Sequence, residues 1–170
     1  MSKQNGMIRQ FKEQWEEERR RHNLEWAKSM DKWGDLDYLV YSNLSELVEE
    51  KFNTEIVDIT LRHVKRLKDG QTKTFGVIAV SEEYIFLNKA NNRLRREVVD
   101  ELLGEISLFW EHFPMYRNKK LVGVLTCIYY DEPAVTYAEQ NGFLVAGVGL
   151  ELLEVKNRAD FEPKIWLYNP

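Results

Sequence analysis

The sequence predicts a mixed α/β domain, a sheet flanked by helices and preceded by a long charged helix. Three observations predict it. Apolar residues recur at three- and four-residue spacing in two separate stretches, short β-branched and apolar runs lie between and after them, and the N-terminal stretch is built from helix-forming charged residues. The resulting order is helix, three strands, helix, strand, helix, then one or two strands, an alternation that belongs to layered α/β architectures.

From Gln4 to Trp33 the chain has no proline and a single glycine, Gly6, and Glu, Arg, Lys and Gln dominate, so intrinsic propensity favours helix. Ile8, Phe11, Trp15, Trp26, Met30 and Trp33 fall close to a 3-4 repeat, the pattern of a coiled-coil seam. Glu18 and His22 interrupt that seam, which leaves a single amphipathic helix packed on its own domain as the alternative. Gly34 then bends the path, and Leu36, Leu39, Val40, Leu44, Leu47 and Val48 form a helical stripe that reaches Lys51 and is expected to pack on a sheet. Residues 55–67, EIVDITLRHVKRL, are rich in β-branched side chains and read as one strand ending at the Asp69-Gly70 turn. Strands 72–80 and 83–89 follow, joined at Ser81-Glu82, and their runs FGVIAV and YIFL are apolar on both faces, as in a covered sheet.

Leu94, Val98, Leu102, Ile106, Phe109 and Phe113 place a second core helix that stops before Pro114. KLVGVLTCIYY, residues 120–130, reads as a central strand. Asp131 is positioned to cap a short helix, with Pro133 in its first turn and Gly142 at its end. Residues 143–148 and 151–155 supply the last strands, and Trp166 and Tyr168 predict a tail that docks. The chain thus divides into a charged helix at 1–33, an α/β domain at 34–156 and a tail at 157–170.

A chain of 170 residues with 44% hydrophobic side chains suits one core with an appendage. The net charge of -4 and a pI near 5.5 exclude holding nucleic acid by global charge, although local basic patches remain able to do so. The single cysteine, Cys127, lies in an apolar run and has no internal partner, which fits a reducing compartment. The N-terminus lacks the apolar core of a secretory signal and no run approaches the roughly 20 apolar residues of a membrane span, so a cytoplasmic location away from membranes is expected. His22, His63 and His112 lack zinc-ligand spacing, and neither nucleotide-binding glycine fingerprints nor Ser or Cys nucleophile motifs occur.

Four segments taken in order, WGDLDYLV from Trp33, TFGVIAVSEEYIFLNKANNR from Thr74, FPMYRNKKLVGVL from Phe113 and YAEQNGFLV from Tyr137, carry a resemblance. Together with the charged N-terminus they resemble a bacterial branch of the PD-(D/E)xK restriction-endonuclease-like superfamily, over about residues 7–156. The resemblance implies a restriction-endonuclease-like mixed sheet flanked by helices. In such nucleases an Asp on one hairpin strand and a Glu-x-Lys on the next hold Mg²⁺, which polarises the scissile phosphate and activates the attacking water, and an acid on the first core helix often completes the site. Carried over by position, the strand Asp falls on Gly76, the Glu and Lys on Asn88 and Ala90, and the helix acid on Tyr38. Mg²⁺ requires hard anionic oxygens, and a glycine, an amide and a phenol remove the charges that bind it. The resemblance therefore implies a degenerate site with neither metal nor other cofactor.

Other residues compete for the role. Lys89 is displaced by one from the lysine position, and strand alternation turns it to the opposite face from Asn88 and Ala90. Glu97 and Glu101, one turn apart, offer a migrated carboxylate pair for Mg²⁺ or Mn²⁺, against a solvated helix face supported by Arg93–Glu97 pairing. Glu154-Val155-Lys156 spells Glu-x-Lys near Glu151 but lies in the last strand, without an acidic partner on a preceding strand. Two basic runs remain: Arg62, His63, Lys65, Arg66 and Lys68, and Lys89, Arg93, Arg95 and Arg96, the second being the expected nucleic-acid contact. The leading expectation is an inactive nuclease-fold binding or scaffold module, homodimeric through its N-terminal helix. The alternatives are a Mg²⁺- or Mn²⁺-dependent phosphodiesterase with a rearranged site, and a protein–protein interaction module without a nucleic-acid role, for which the acidic pI and the N-terminal tryptophans are the motive.

Overall fold

The charged N-terminal stretch forms one helix, α1 (Ser2–Lys32), which stops where Gly34 takes a left-handed φ of 75°. The structure, a computed structural model, describes residues 2–170, so of the expected 1–33 helix only Met1 lies outside the described residues. Helix α2 (Leu36–Phe52) follows, buries Leu36, Leu39, Val40, Leu44 and Val48, and ends at Asn53 with φ 49°. Its stripe packs on the sheet as the spacing predicts.

The main sheet holds β1 (Ile56–Leu61), β4 (Val77–Ser81), β5 (Tyr84–Arg93), β6 (Lys120–Tyr129), β7 (Leu144–Gly147) and β8 (Glu154–Val155), in that spatial order. Strands β5, β6 and β7 are parallel, and the other neighbours are antiparallel. A separate hairpin pairs β2 (Val64–Arg66) with β3 (Thr72–Thr74).

The expected single strand at 55–67 is therefore two, because Arg62 adopts φ 51°. Its partner breaks opposite, at Phe75-Gly76. The ladder bends there rather than ending, since Arg62 N donates to the Gly76 carbonyl at 2.7 Å and Phe75 N to the His63 carbonyl at 2.8 Å. The β5 strand also runs past its expected end at 89 to Arg93, because its polar half pairs in parallel with β6 as far as Tyr129. The single helix expected up to Phe113 is interrupted at Leu108, giving α3 (Arg96–Ser107) and α4 (Phe109–His112). Helix α5 (Glu132–Gln140) is capped as expected, with Ala134 N donating to Asp131 Oδ1 at 2.9 Å.

Two apolar layers sandwich the sheet. Leu39, Val40 and Leu44 meet Val77, Ala79, Phe86 and Val124 on one face, and Val99, Leu102 and Phe109 meet Phe75, Ile85, Leu87 and Leu125 on the other. Ala27 of α1 joins the first layer, and Asn23 Nδ2 donates to the carbonyls of Gly149 and Leu150. The N-terminal half of α1 leaves Met7, Ile8, Phe11 and Trp15 exposed. The tail docks through a bridge between Trp166 and Leu121. No helix among the described residues is long and apolar enough to cross a membrane.

Candidate functional site

Alternation along β5 decides which side chains share a face. Ile85 and Leu87 belong to the α3 layer, while Phe86 and Ala90 belong to the layer under α1 and α2. Asn88 shares the parity of Phe86 and Ala90 and is fully buried, and its Nδ2 donates to Thr126 Oγ1 at 2.7 Å. Its Oδ1 has no hydrogen-bond partner among the described residues.

Gly76 stands beside it across the β4–β5 ladder. A Cβ at Gly76 would lie 2.6 Å from the Asn88 carbonyl oxygen and 3.5 Å from Asp37 Oδ1. The backbone approach leaves that position no room for an aspartate side chain, whatever its charge. Tyr38 is half exposed and stacks on Tyr41, with ring centroids 6.2 Å apart, so it belongs to the surface of α2. The acid that reaches Gly76 is Asp37, one residue earlier.

A fixed cation meets that acid. Arg62 Nε lies 3.6 Å from Asp37 Oδ2, its Nη2 lies 3.7 Å from Asp35 Oδ1, and the same Nη2 donates to the Gly34 carbonyl at 2.7 Å. Arg62 thus leaves the basic run to which its sequence position assigned it. Its left-handed backbone turns the guanidinium back over the start of α2.

Lys89 takes the opposite face, as alternation requires. Its Nζ lies 3.0 Å from Glu105 Oε1 and 3.4 Å from Glu101 Oε2. Burial pulls the lysine pKa down, but the two carboxylates outweigh it and hold the ammonium above its ordinary value. Glu101 is therefore spent on Lys89, and Glu97 is solvent-exposed without an ion pair among the described residues. The Arg93–Glu97 pairing does not form: Arg93 lies at the end of β5, and its guanidinium sits 5.4 Å from the Tyr129 ring centroid. Arg96 stacks at 4.3 Å on Tyr137, whose hydroxyl donates to Asp100 Oδ1 at 2.5 Å. Arg93, Arg95, Arg96, Asp131 and Tyr137 line an open cleft of about 710 Å³.

The literal Glu-x-Lys string neutralises itself, since Lys156 Nζ contacts Glu154 Oε1 at 2.6 Å. Burial alone would raise the Glu154 pKa, but Lys156 and the backbone N–H groups near Glu151 bring it below the usual carboxylate value. Cys127 is a core thiol whose burial pushes its pKa up to about 12, far from thiolate reactivity at neutral pH.

Among the described residues no three His, Cys, Asp or Glu side chains come together as a metal site. Sequence reasoning missed Asp37, Arg62 and Glu105 as the groups that set the local electrostatics. Only Asp37 had a nearby signal, its place next to Tyr38 in the helix-opening segment. No protein-family model matches this chain, and no curated protein or solved structure matches it.

Proposed function

We propose that this protein is a catalytically inactive nuclease-fold module that binds or scaffolds other molecules in the cytoplasm, as a homodimer joined through α1. The observation that carries the reading is the junction of Gly76, Asn88 and Asp37. A metal there would find one carboxylate, already paired with Arg62, and a buried amide in place of the acids that a divalent ion needs. The guanidinium supplies permanently the positive charge that Mg²⁺ would bring. The sheet order, a three-strand meander followed by a parallel return strand after α3, supports a restriction-endonuclease-like ancestry. Ancestry does not transmit chemistry once the site residues have gone.

The dimer draws support from the exposed Met7, Ile8, Phe11 and Trp15 on the free half of α1, flanked by Arg9–Glu13 and Lys12–Glu16 pairs. Nucleic-acid contact is assigned to Arg93, Arg95 and Arg96, with Lys89 beneath them held by its carboxylates. A rearranged phosphodiesterase site built on Lys89, Glu97 and Glu101 is the weaker reading, because Lys89 and Glu101 neutralise each other.

The test is incubation of the purified protein with supercoiled DNA and with single-stranded RNA under Mg²⁺ or Mn²⁺. No cleavage is expected. Metal-dependent cleavage that Asp37→Asn, Glu97→Gln or Glu101→Gln removes, with thermal stability unchanged, would overturn the proposal.

A further inference from the structure

The β2–β3 hairpin carries cations that the degenerate site does not use. Lys65 and Lys73 face each other directly across its ladder. Like charges in that register destabilise a hairpin, so their presence needs a compensating partner. Part of the compensation is internal: Lys65 Nζ lies 5.1 Å from the Phe113 ring centroid and Lys73 Nζ 5.9 Å from that of Phe75. The rings hold both ammonium groups without neutralising them.

Between this hairpin and α4 lies an open cleft of about 810 Å³ lined by Lys65, Arg66, Lys68, His112 and Arg117. Its two acids are Asp69, whose carboxylate accepts from Gln71 N in the turn, and Glu111. His112 Nε2 is buried and has no hydrogen-bond partner among the described residues. Lys65, Arg66, Lys68, Lys73 and Arg117 form no ion pair among the described residues. On a chain of net charge -4, these unpaired cations form a local positive surface.

We infer that this hairpin and cleft grip the phosphodiester backbone of duplex nucleic acid without reading its sequence. Lys65 and Arg66 lie on β2 and Lys68 in the turn that follows it, and with Arg117 they line one open cleft, an array that suits a polymer of charges better than one enclosed phosphate. The inference rests on the nucleic-acid role proposed above but assigns it to a surface separate from Arg93, Arg95 and Arg96.

The experiment is fluorescence anisotropy of the full chain with a labelled duplex DNA of mixed sequence, titrated across salt concentrations. Four or five phosphate contacts give a slope of log K against log salt of about -4. Lys65→Ala/Arg66→Ala/Lys68→Ala should lower that slope in magnitude by about 2 to 3 and weaken low-salt binding more than tenfold. Lys68→Glu/Arg117→Glu, which leaves the β2–β3 ladder untouched, should do the same, and Lys51→Ala on α2 should change nothing. Binding unaffected by either hairpin variant but lost on neutralising Arg93, Arg95 and Arg96 would overturn this inference and leave the proposed nucleic-acid role standing. No salt-dependent binding at all would sink both. Displacement by poly-glutamate as readily as by DNA would assign the surface to an acidic protein and overturn it.

Discussion

Replacing Lys89 with methionine separates a structural lysine from a catalytic one. The ammonium bridges Glu101 and Glu105 on α3, and the Glu105 side chain is only 8% exposed against 24% for Lys89. Removing one partner of a buried pair costs about 3–5 kcal/mol, because the other charge stays buried and uncompensated. Water at the partly open Lys89 end screens some of this, so about 2–3 kcal/mol is expected. At about 2–4 °C per kcal/mol for a chain of this size, Lys89→Met should lower Tm by roughly 4–12 °C. Adding Glu105→Leu removes the stranded carboxylate and should restore most of the loss, since an apolar replacement of a buried pair is often close to neutral. Thermal melts of the two single variants and the double variant by circular dichroism give the coupling. The sign with pH follows from the raised lysine pKa: the pair's contribution is complete below the ordinary value of 10.5 and fades as pH rises through the higher folded value. Wild type should therefore lose more stability in strong base than the double variant. A Lys89→Met protein within about 0.5 kcal/mol of wild type, or one that Glu105→Leu fails to rescue, would refute the reasoning.

Three other outcomes follow from the same packing. Gly76→Ala puts a methyl 2.6 Å from the Asn88 carbonyl, so urea unfolding should show a net loss of about 1–2 kcal/mol after the smaller unfolded-state entropy gain; an unchanged or stabilised protein would contradict the tight junction. The depressed Glu154 pKa gives stability that is present above the ordinary carboxylate value of 4.5 and lost as pH falls through the folded one, and Glu154→Gln should flatten that acid limb in pH-dependent melts. For the proposed dimer through α1, Phe11→Asp with Trp15→Asp should shift sedimentation to monomer while leaving the domain's melting unchanged, because that half of α1 is exposed, and a wild-type chain that sediments as a monomer would refute the dimer.

Much of the fold was legible because local rules and packing agree. The stripe from Leu36 to Val48, the capping set Asp131, Pro133 and Gly142, and the doubly apolar run of β6 each sit where pattern places them. The misses share a physical cause. Arg62 looks like any residue of a β-branched run, and its left-handed backbone is imposed by the bend facing Phe75-Gly76. The polar end of β5 carries no strand pattern of its own, and its pairing with β6 alone extends it to Arg93. At the site, the absence of an acid at Gly76, Asn88 and Tyr38 and of a lysine at Ala90, and the turn of Lys89 to the opposite face from Asn88, were legible from residue type and alternation. The Arg62–Asp37 and Lys89–Glu105 pairs were not, because they join residues distant in the chain whose approach depends on the assembled sheet.

In the proposed reading, the Arg62 guanidinium stands where a metal-dependent nuclease would hold its ion. Calorimetric titration of Mn²⁺ into the purified full chain tests it most directly. Wild type should give no saturable heat. Stoichiometric binding abolished by Asp37→Asn would contradict it and place a working metal site at the Gly76–Asn88 junction.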